Sequence, residues 1–374
     1  MKEVIVHPKP ELWTEIHDVP IPQPDPDEVV IKVVVAGSNP KDWDHLTSMN
    51  VSLNSGDDIA GYVHALGSNV EKTREFAVGD RVAAFHPMMA PHGAFAEYAV
   101  SPLHTVLKLP DHFDIVNIDF RRIEAATLPL VITTAGITLF RRQNLPPPWS
   151  PRLPSDPPLP LIIYGASSAL GTFAIKLARA SNIHPIIAIA GGSSAHLLPL
   201  LDERLGDALL DYRVGEEEMK RHVKEKLNGL PCHHAFDAIT SKKTSSWIPI
   251  SQMLSLSTPS QPSYLSVVSG ANKYDESSIP KEITVLYTYV GTAHAGAYKP
   301  TMPKQPQNLE FVKSDPEWAY VFFRYVARML ADGRMTGHPF QVVDGGLGGV
   351  ASGLQMLKEG KARGFKFVFR VADA

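Results

Sequence analysis

At 374 residues the chain exceeds what one hydrophobic core normally supports, so two domains are expected. With 44% hydrophobic and 20% charged residues it has the composition of a globular protein, which excludes disordered and fibrous classes. A formal net charge of −3 with no basic stripe excludes a nucleic-acid partner, and no apolar run reaches the roughly 20 residues that a membrane span needs. The N-terminal MKEVIVHPKPELW lacks an apolar leader, so a soluble cytoplasmic protein is expected. Cys232 is the sole cysteine, which rules out an intrachain disulfide and any zinc site built from two thiolates.

The first hundred residues read as turn-rich β structure. Val29 to Val35 is a β-branched run, and Gly61, Gly67, Gly79 and Gly93 mark tight turns between further apolar segments. A helical stretch is predicted from Ile123 through Leu139. The tract from 141 to 160 then holds eight prolines, which exclude helix and central strand and favour an exposed excursion over a PxxP ligand.

Beyond it strands and helices alternate. Strands are expected at Leu161 to Tyr164, His184 to Ala190, Ala208 to Tyr212, Ala235 to Ile239, Tyr264 to Val268 and Ile283 to Val290. Helices are expected at Ala169 to Ala180, up to Leu205, and around Met219, Val223 and Leu227. These βαβ units imply a doubly wound, mostly parallel sheet. A helix from Trp318 to Leu330, a short helix ending near Gly360 and a strand from Phe365 to Arg370 close the chain and are expected to return to the first domain.

Between the first strand of the sheet and its helix stands YGASSALG, with Gly165, Ser167, Ser168, Ala169, Leu170 and Gly171. Small residues here let the backbone approach a ligand. The free N–H groups and dipole of the helix start then favour a pyrophosphate. Ser168 stands where a second glycine is usual, so it is the strand, turn and helix context that carries the assignment. A strand selective for NAD ends in an acid that binds the ribose hydroxyls, whereas the second strand here runs into Gly191, Gly192, Ser193 and Ser194. With His196 nearby and Tyr212 and Arg213 after the next strand, the residues favour a 2′-phosphate, and hence NADPH. A rival reading takes Gly165 to Ala169 as a nucleophile elbow with Asp237 and His294 completing a hydrolase triad. The long β domain ahead of it argues against that.

In order along the chain, IKVVVAGSNPKDW, DDIAGYVHALGSNV, FAVGDRVAAF, GAFAEYAV, EAATLPLVITTAGITL, YGASSALG and LDYR together resemble the medium-chain dehydrogenase/reductase superfamily. The likeness is greatest to its zinc-free quinone oxidoreductases and fungal trans-acting enoyl reductases. It covers nearly the whole chain, with the proline-rich insertion at 144–160 standing outside. It implies an α/β fold in which a GroES-like β-barrel domain, residues 1–130 and 311–374, is split around a Rossmann domain, residues 131–310. Asn39 and Lys41 match the family loop beside the nicotinamide, and Thr133 with Thr134 matches a helix start that contacts cofactor and substrate. Val290 and Gly291 fall where the carboxamide is anchored. Loops from Phe85 to His92 and Tyr274 to Pro280 are expected to set specificity.

Zinc-dependent relatives use a cysteine and a Gly-His-Glu segment; the matching positions here are Ser38 and Gly56, Asp57 and Asp58. A hydroxyl and two carboxylates are poor substitutes for thiolate and imidazole, so no metal is expected. The expected activity is hydride delivery from NADPH to a quinone, an enone or an enoyl substrate. An NADPH-binding sensor with vestigial turnover is the alternative, ahead of a zinc-type alcohol dehydrogenase or a serine hydrolase. A homodimer through the Ile283 to Val290 strand and a monomer are both left open.

Overall fold

The computed structural model describes residues 1–110, 123–240, 245–268, 276–297 and 309–372. The chain divides into two compact units, Met1–Leu130 with Pro316–Ala374, and Val131–Asp315.

The first unit opens with an antiparallel hairpin, β1 (Lys2–His7) and β2 (Trp13–Asp18). β3 (Glu28–Gly37) is the β-branched run seen in the sequence. It leads through α1 (Lys41–Met49) to β4 (Asp58–Leu66), and then through the short α2 (Ser68–Thr73) to β5 (Arg81–Phe85), β6 (Tyr98–Pro102) and β7 (Val106–Lys108). β3 pairs antiparallel with β4 through two register shifts, and bulges of this kind bend and twist a sheet. Residues 123–127 form a 3-10 turn before α3 (Pro129–Gly136), which widens into π-helix over Ile137–Arg142. The proline-rich tract that follows forms turns and is mostly exposed. The amide of Ser150 bonds Pro147 O and that of Asp156 bonds Leu153 O.

The second unit is built on β8 (Leu161–Tyr164), α4 (Ala169–Ala180), β9 (Ile186–Ala190), β10 (Ala208–Asp211), α5 (Glu216–Leu227), β11 (His234–Asp237), α6 (Trp247–Met253), β12 (Ser263–Val267) and β13 (Ile283–Tyr287). Among the described residues its six strands run in the order β10-β9-β8-β11-β12-β13, every pair parallel. This is the doubly wound order that reverses beside its first strand, where such sheets take their ligands. α5 buries Met219, Val223 and Leu227 with Ile187, Ile189, Trp247 and Leu265.

One expected helix is absent. Between β9 and β10 the chain makes two 3-10 turns, Ala195–Leu200 and Glu203–Leu205. The run Gly191, Gly192, Ser193, Ser194 favours turn over helix, and Pro199 removes a helical donor in the middle of the segment. The last strand of the sheet also stops at Tyr287, and Val290–Ala293 form a separate 3-10 turn.

α7 (Leu309–Lys313) and α8 (Asp315–Ala331) lead to β14 (Phe340–Val343), α9 (Val350–Lys358) and β15 (Lys366–Arg370). β15 pairs antiparallel with β3 and parallel with β14. The C-terminal segment thus completes the first sheet, in the order β14-β15-β3-β4-β5-β7 with β6 on β3. Its core joins Val29, Ile31, Val33 and Ile59 from the N-terminal strands to Phe367 and Phe369 from β15. No helix among the described residues is long and apolar enough to cross a membrane.

Candidate functional site

In the first unit the residues between β3 and α1 form a buried polar cluster. The amide of Asn39 donates to Asp42 Oδ2 at 2.8 Å and the amide of Asp42 donates to Asn39 O at 2.9 Å, a reciprocal turn that starts α1. The Asn39 side chain is also engaged, its Nδ2 donating to Asp58 Oδ2 at 2.8 Å. Lys41, the first residue of α1, directs its ammonium at Ser55 O at 2.5 Å, Asp42 Oδ1 at 2.9 Å and Asp57 Oδ2. The other oxygen of Asp57 lies 3.0 Å from His86 Nδ1, and His86 Nε2 donates to Pro91 O at 2.9 Å.

Electrostatics follow from that packing. Burial works against the Lys41 charge, but Asp42 and Asp57 outweigh it and hold the ammonium above the usual lysine range. Burial also pushes the Asp42 carboxyl up to about 7, because the one ammonium is shared with Asp57. Asp58, the neighbouring acid, is fully buried and has a different set of partners: the Lys366 ammonium from β15, Asn39 Nδ2, and the amide of Leu130 at 2.6 Å.

Sequence reasoning named Asn39 and Lys41 but missed His86 and Lys366. Lys366 lies 308 residues from Asp58 in the chain, so no local pattern could announce the pair. The Phe85 to His92 segment, expected as a specificity loop, contributes His86 to this cluster, while Tyr274 and Asp275 of the second such loop lie outside the described residues.

In the second unit Gly165 adopts φ +71°, and a Cβ there would come within 2.1 Å of Ile239 Cγ1. Glycine is required on both counts. Ser168 is the N-cap of α4, its Oγ accepting from the amide of Gly171 at 3.0 Å. Ser167 is partly buried ahead of it, and the first-turn amides of Ala169 and Leu170 have no acceptor within the helix. A side chain at Gly171 would meet Gly165 O at 2.5 Å, so the helix packs directly on the turn.

Beyond β9, Ser193 is exposed and Ser194 partly buried. The Tyr212 ring and the Arg213 guanidinium lie across the Gly191–Gly192 turn, where a Cβ would meet them at 3.0 and 2.8 Å. Arg213 is held by Asp211 through Nε at 2.9 Å and Nη2 at 2.6 Å, and that pairing draws the Asp211 carboxyl down to about 2. His196 contacts Thr172 Oγ1 of α4 at 3.2 Å; burial and the Lys176 ammonium lower its pKa, so it is neutral near pH 7.

Val290 and Gly291 are buried in their 3-10 turn. Thr292 secures that turn by donating to Tyr289 O at 2.9 Å and accepting from Arg142 Nη2 at 3.1 Å. Arg142 is itself paired with the buried Asp315. Thr133, expected at a helix start, is instead fully buried within α3, four residues after its first residue. The rival hydrolase constellation loses its acid: Asp237 accepts from Ser246 Oγ at 2.5 Å and from the amides of Ile239 and Thr240.

Residues 25–111 match the alcohol dehydrogenase GroES-like domain. A trans-enoyl reductase of Gibberella fujikuroi is 36% identical over 347 residues, covering 92% of this chain and 91% of that protein. The chain belongs to the medium-chain dehydrogenase/reductase superfamily. A trans-enoyl reductase of Aspergillus sclerotiorum is 31% identical, with 99% of this chain and 100% of that protein covered. An alcohol dehydrogenase superfamily protein of Novosphingobium aromaticivorans shares the fold with a TM-score of 0.74 at 16% identity, each chain covered in full.

As a medium-chain dehydrogenase/reductase the protein is an oxidoreductase, and its zinc-dependent relatives raise the question of a metal. The three matching positions do not fit one. Ser38 Oγ donates to Phe367 O at 2.9 Å, Asp57 is held by Lys41 and His86, and Asp58 by Lys366. A dinucleotide fits the second unit better. Its Gly165 turn, crowded on one side by Ile239, presents the start of α4, the geometry that receives a pyrophosphate in this fold.

Proposed function

We propose that the protein is an NADPH-dependent, zinc-free reductase of α,β-unsaturated carbonyl substrates of the enoyl type. The observation that carries this reading is the Lys41 ammonium, held among Asp42, Asp57 and the Ser55 carbonyl where a metal-dependent relative would need ligands free. The trans-enoyl reductase names of its relatives favour the enoyl class over a quinone.

When bound, the nicotinamide supplies a hydride, which forms the new C–H bond at the β-carbon. The protein's own task is to steady the charge that the substrate oxygen gains until the α-carbon takes a proton from water. Lys41 has its three N–H donors engaged by Ser55 O, Asp42 and Asp57, so it would order the loop beside the nicotinamide rather than bond the substrate oxygen itself. Asn39, braced by Asp42 and Asp58, keeps the turn that sets Lys41 at the head of α1. In the second unit the Gly165–Gly171 turn would hold the pyrophosphate. Ser193, Ser194, Tyr212 and Arg213 would take the 2′-phosphate, and the Val290–Gly291 turn the carboxamide. His196, in contact with Thr172, would contribute a hydrogen bond there. β13, at one edge of the sheet, would be the strand for pairing two copies.

Isothermal titration of NADPH and NADH into the protein, with an elemental zinc assay on the untreated sample, tests the reading. NADPH is expected to bind at least about tenfold more tightly, or about 1.4 kcal/mol. Consumption of NADPH should follow addition of an enoyl thioester. Equal affinity for the two nucleotides, or one zinc per chain, would overturn it; turnover of quinones with no turnover of enoyl thioesters would replace the substrate class.

A further inference from the structure

We propose that the Lys41 ammonium is the built-in cation of a ready-made ion pocket in the first unit, and that removing it leaves a site for a divalent metal ion of oxygen preference. This rests on the zinc-free reading above and goes beyond it, because it assigns the place of the missing ion to a side chain.

Three oxygens from three separate residues surround Lys41 Nζ: Ser55 O at 2.5 Å, Asp42 Oδ1 at 2.9 Å and Asp57 Oδ2. Two anionic donors and one carbonyl form a hard ligand set of the kind that binds magnesium, manganese or calcium. Asp57 is oriented from behind. A carbonyl only accepts, so the His86 Nε2 that bonds Pro91 O carries hydrogen, and the opposite ring nitrogen faces Asp57 Oδ1 at 3.0 Å. Carboxylates that bind metal ions are commonly held in turn by an outer partner.

Ser55 is 1% exposed, and its Oγ is buried without a hydrogen-bond partner among the described residues.

Each of the two carboxylates has a partner besides Lys41. Asp42 is fixed by the reciprocal bonds with Asn39, Asp57 immediately precedes β4, and His86 immediately follows β5. Only the ammonium occupies the centre. Truncating it removes the ammonium between two buried carboxylates, which is costly, and any cation that binds this state stabilises the fold by mass action.

The test uses the full-length protein and manganese(II) chloride as probe. Wild type, Lys41→Ala and Lys41→Met are titrated and free manganese is read by electron paramagnetic resonance, with thermal melting followed in parallel. Lys41→Ala should bind one ion per chain at least tenfold more tightly than wild type, and its melting temperature should rise with manganese. Lys41→Met, which refills the space without charge, should bind no better than wild type, and adding Asp57→Asn to Lys41→Ala should abolish binding. If Lys41→Ala folds only with manganese present, as followed by circular dichroism, that also supports the proposal. Equal binding by all variants, no binding by Lys41→Ala, or failure of Lys41→Ala to fold even with manganese overturns it. Zinc at one per chain in untreated wild type would overturn the zinc-free reading itself; its absence together with an inert Lys41→Ala would overturn this proposal alone.

Discussion

The polar cluster of the first unit and the phosphate turn of the second achieve order by opposite means. Around Lys41 and Asp58 buried charges satisfy one another, and Asp57 and Lys366 reach them from elsewhere in the chain. Around Gly165 there is almost no charge; the backbone is shaped by the lack of a side chain, by one serine cap and by close packing of α4 on the turn. A charge-built site is exposed to the loss of any one partner, because the remaining charge is stranded in low dielectric. A backbone-built site fails only where a substitution makes the backbone path itself unfavourable.

The largest expected effect breaks the charged side of that comparison. Lys366→Met leaves Asp58 buried without its cation and should destabilise the protein by about 3–5 kcal/mol in urea denaturation. A loss below about 1 kcal/mol would mean that Asn39 and the Leu130 amide suffice for Asp58.

A second prediction uses pH. The Asp42 carboxyl lies near 7 in the folded chain, against an ordinary value of 3.8. Between those values the folded state holds a proton that the unfolded state releases. The stability due to Asp42 is therefore complete below about pH 4 and declines as pH rises through 7, by at most about 1.4 kcal/mol per pH unit. Melting temperatures of wild type should fall over this range more steeply than those of Asp42→Asn. Parallel curves would show that Asp42 keeps its charge in the fold.

The smallest change in stability is expected on the uncharged side. Gly165→Ala places a Cβ at φ +71° and against Ile239, which is about half exposed and able to yield, so the cost should be about 1–2 kcal/mol. NADPH affinity should fall far more than stability does, since the turn is the proposed phosphate cradle. If calorimetry gives an unchanged affinity, the pyrophosphate is held elsewhere.

Legibility in the sequence followed the same division. β8, the turn and α4 are seen at the residues the local pattern predicts, because a strand, a small-residue turn and an amphipathic helix are all specified within twenty residues of one another. The helix expected up to Leu205 is replaced by two 3-10 turns, because Gly191, Gly192 and Pro199 all oppose helix there. Thr133 was expected at a helix start, but α3 begins at Pro129, and a proline at the first helical position is the signal that would have located it.

What the amino-acid sequence determined by itself was the class of the second unit, the glycine demanded at position 165 and the lack of a cysteine-rich metal site, since each depends on residue type and short spacing. Only the tertiary structure decided that Lys41 faces Asp57, that His86 supports Asp57, and that Lys366 neutralises Asp58. Ion pairs are selected by burial and distance in the folded state. Two residues brought together from β4 and β15 carry no mark in the chain that they will meet.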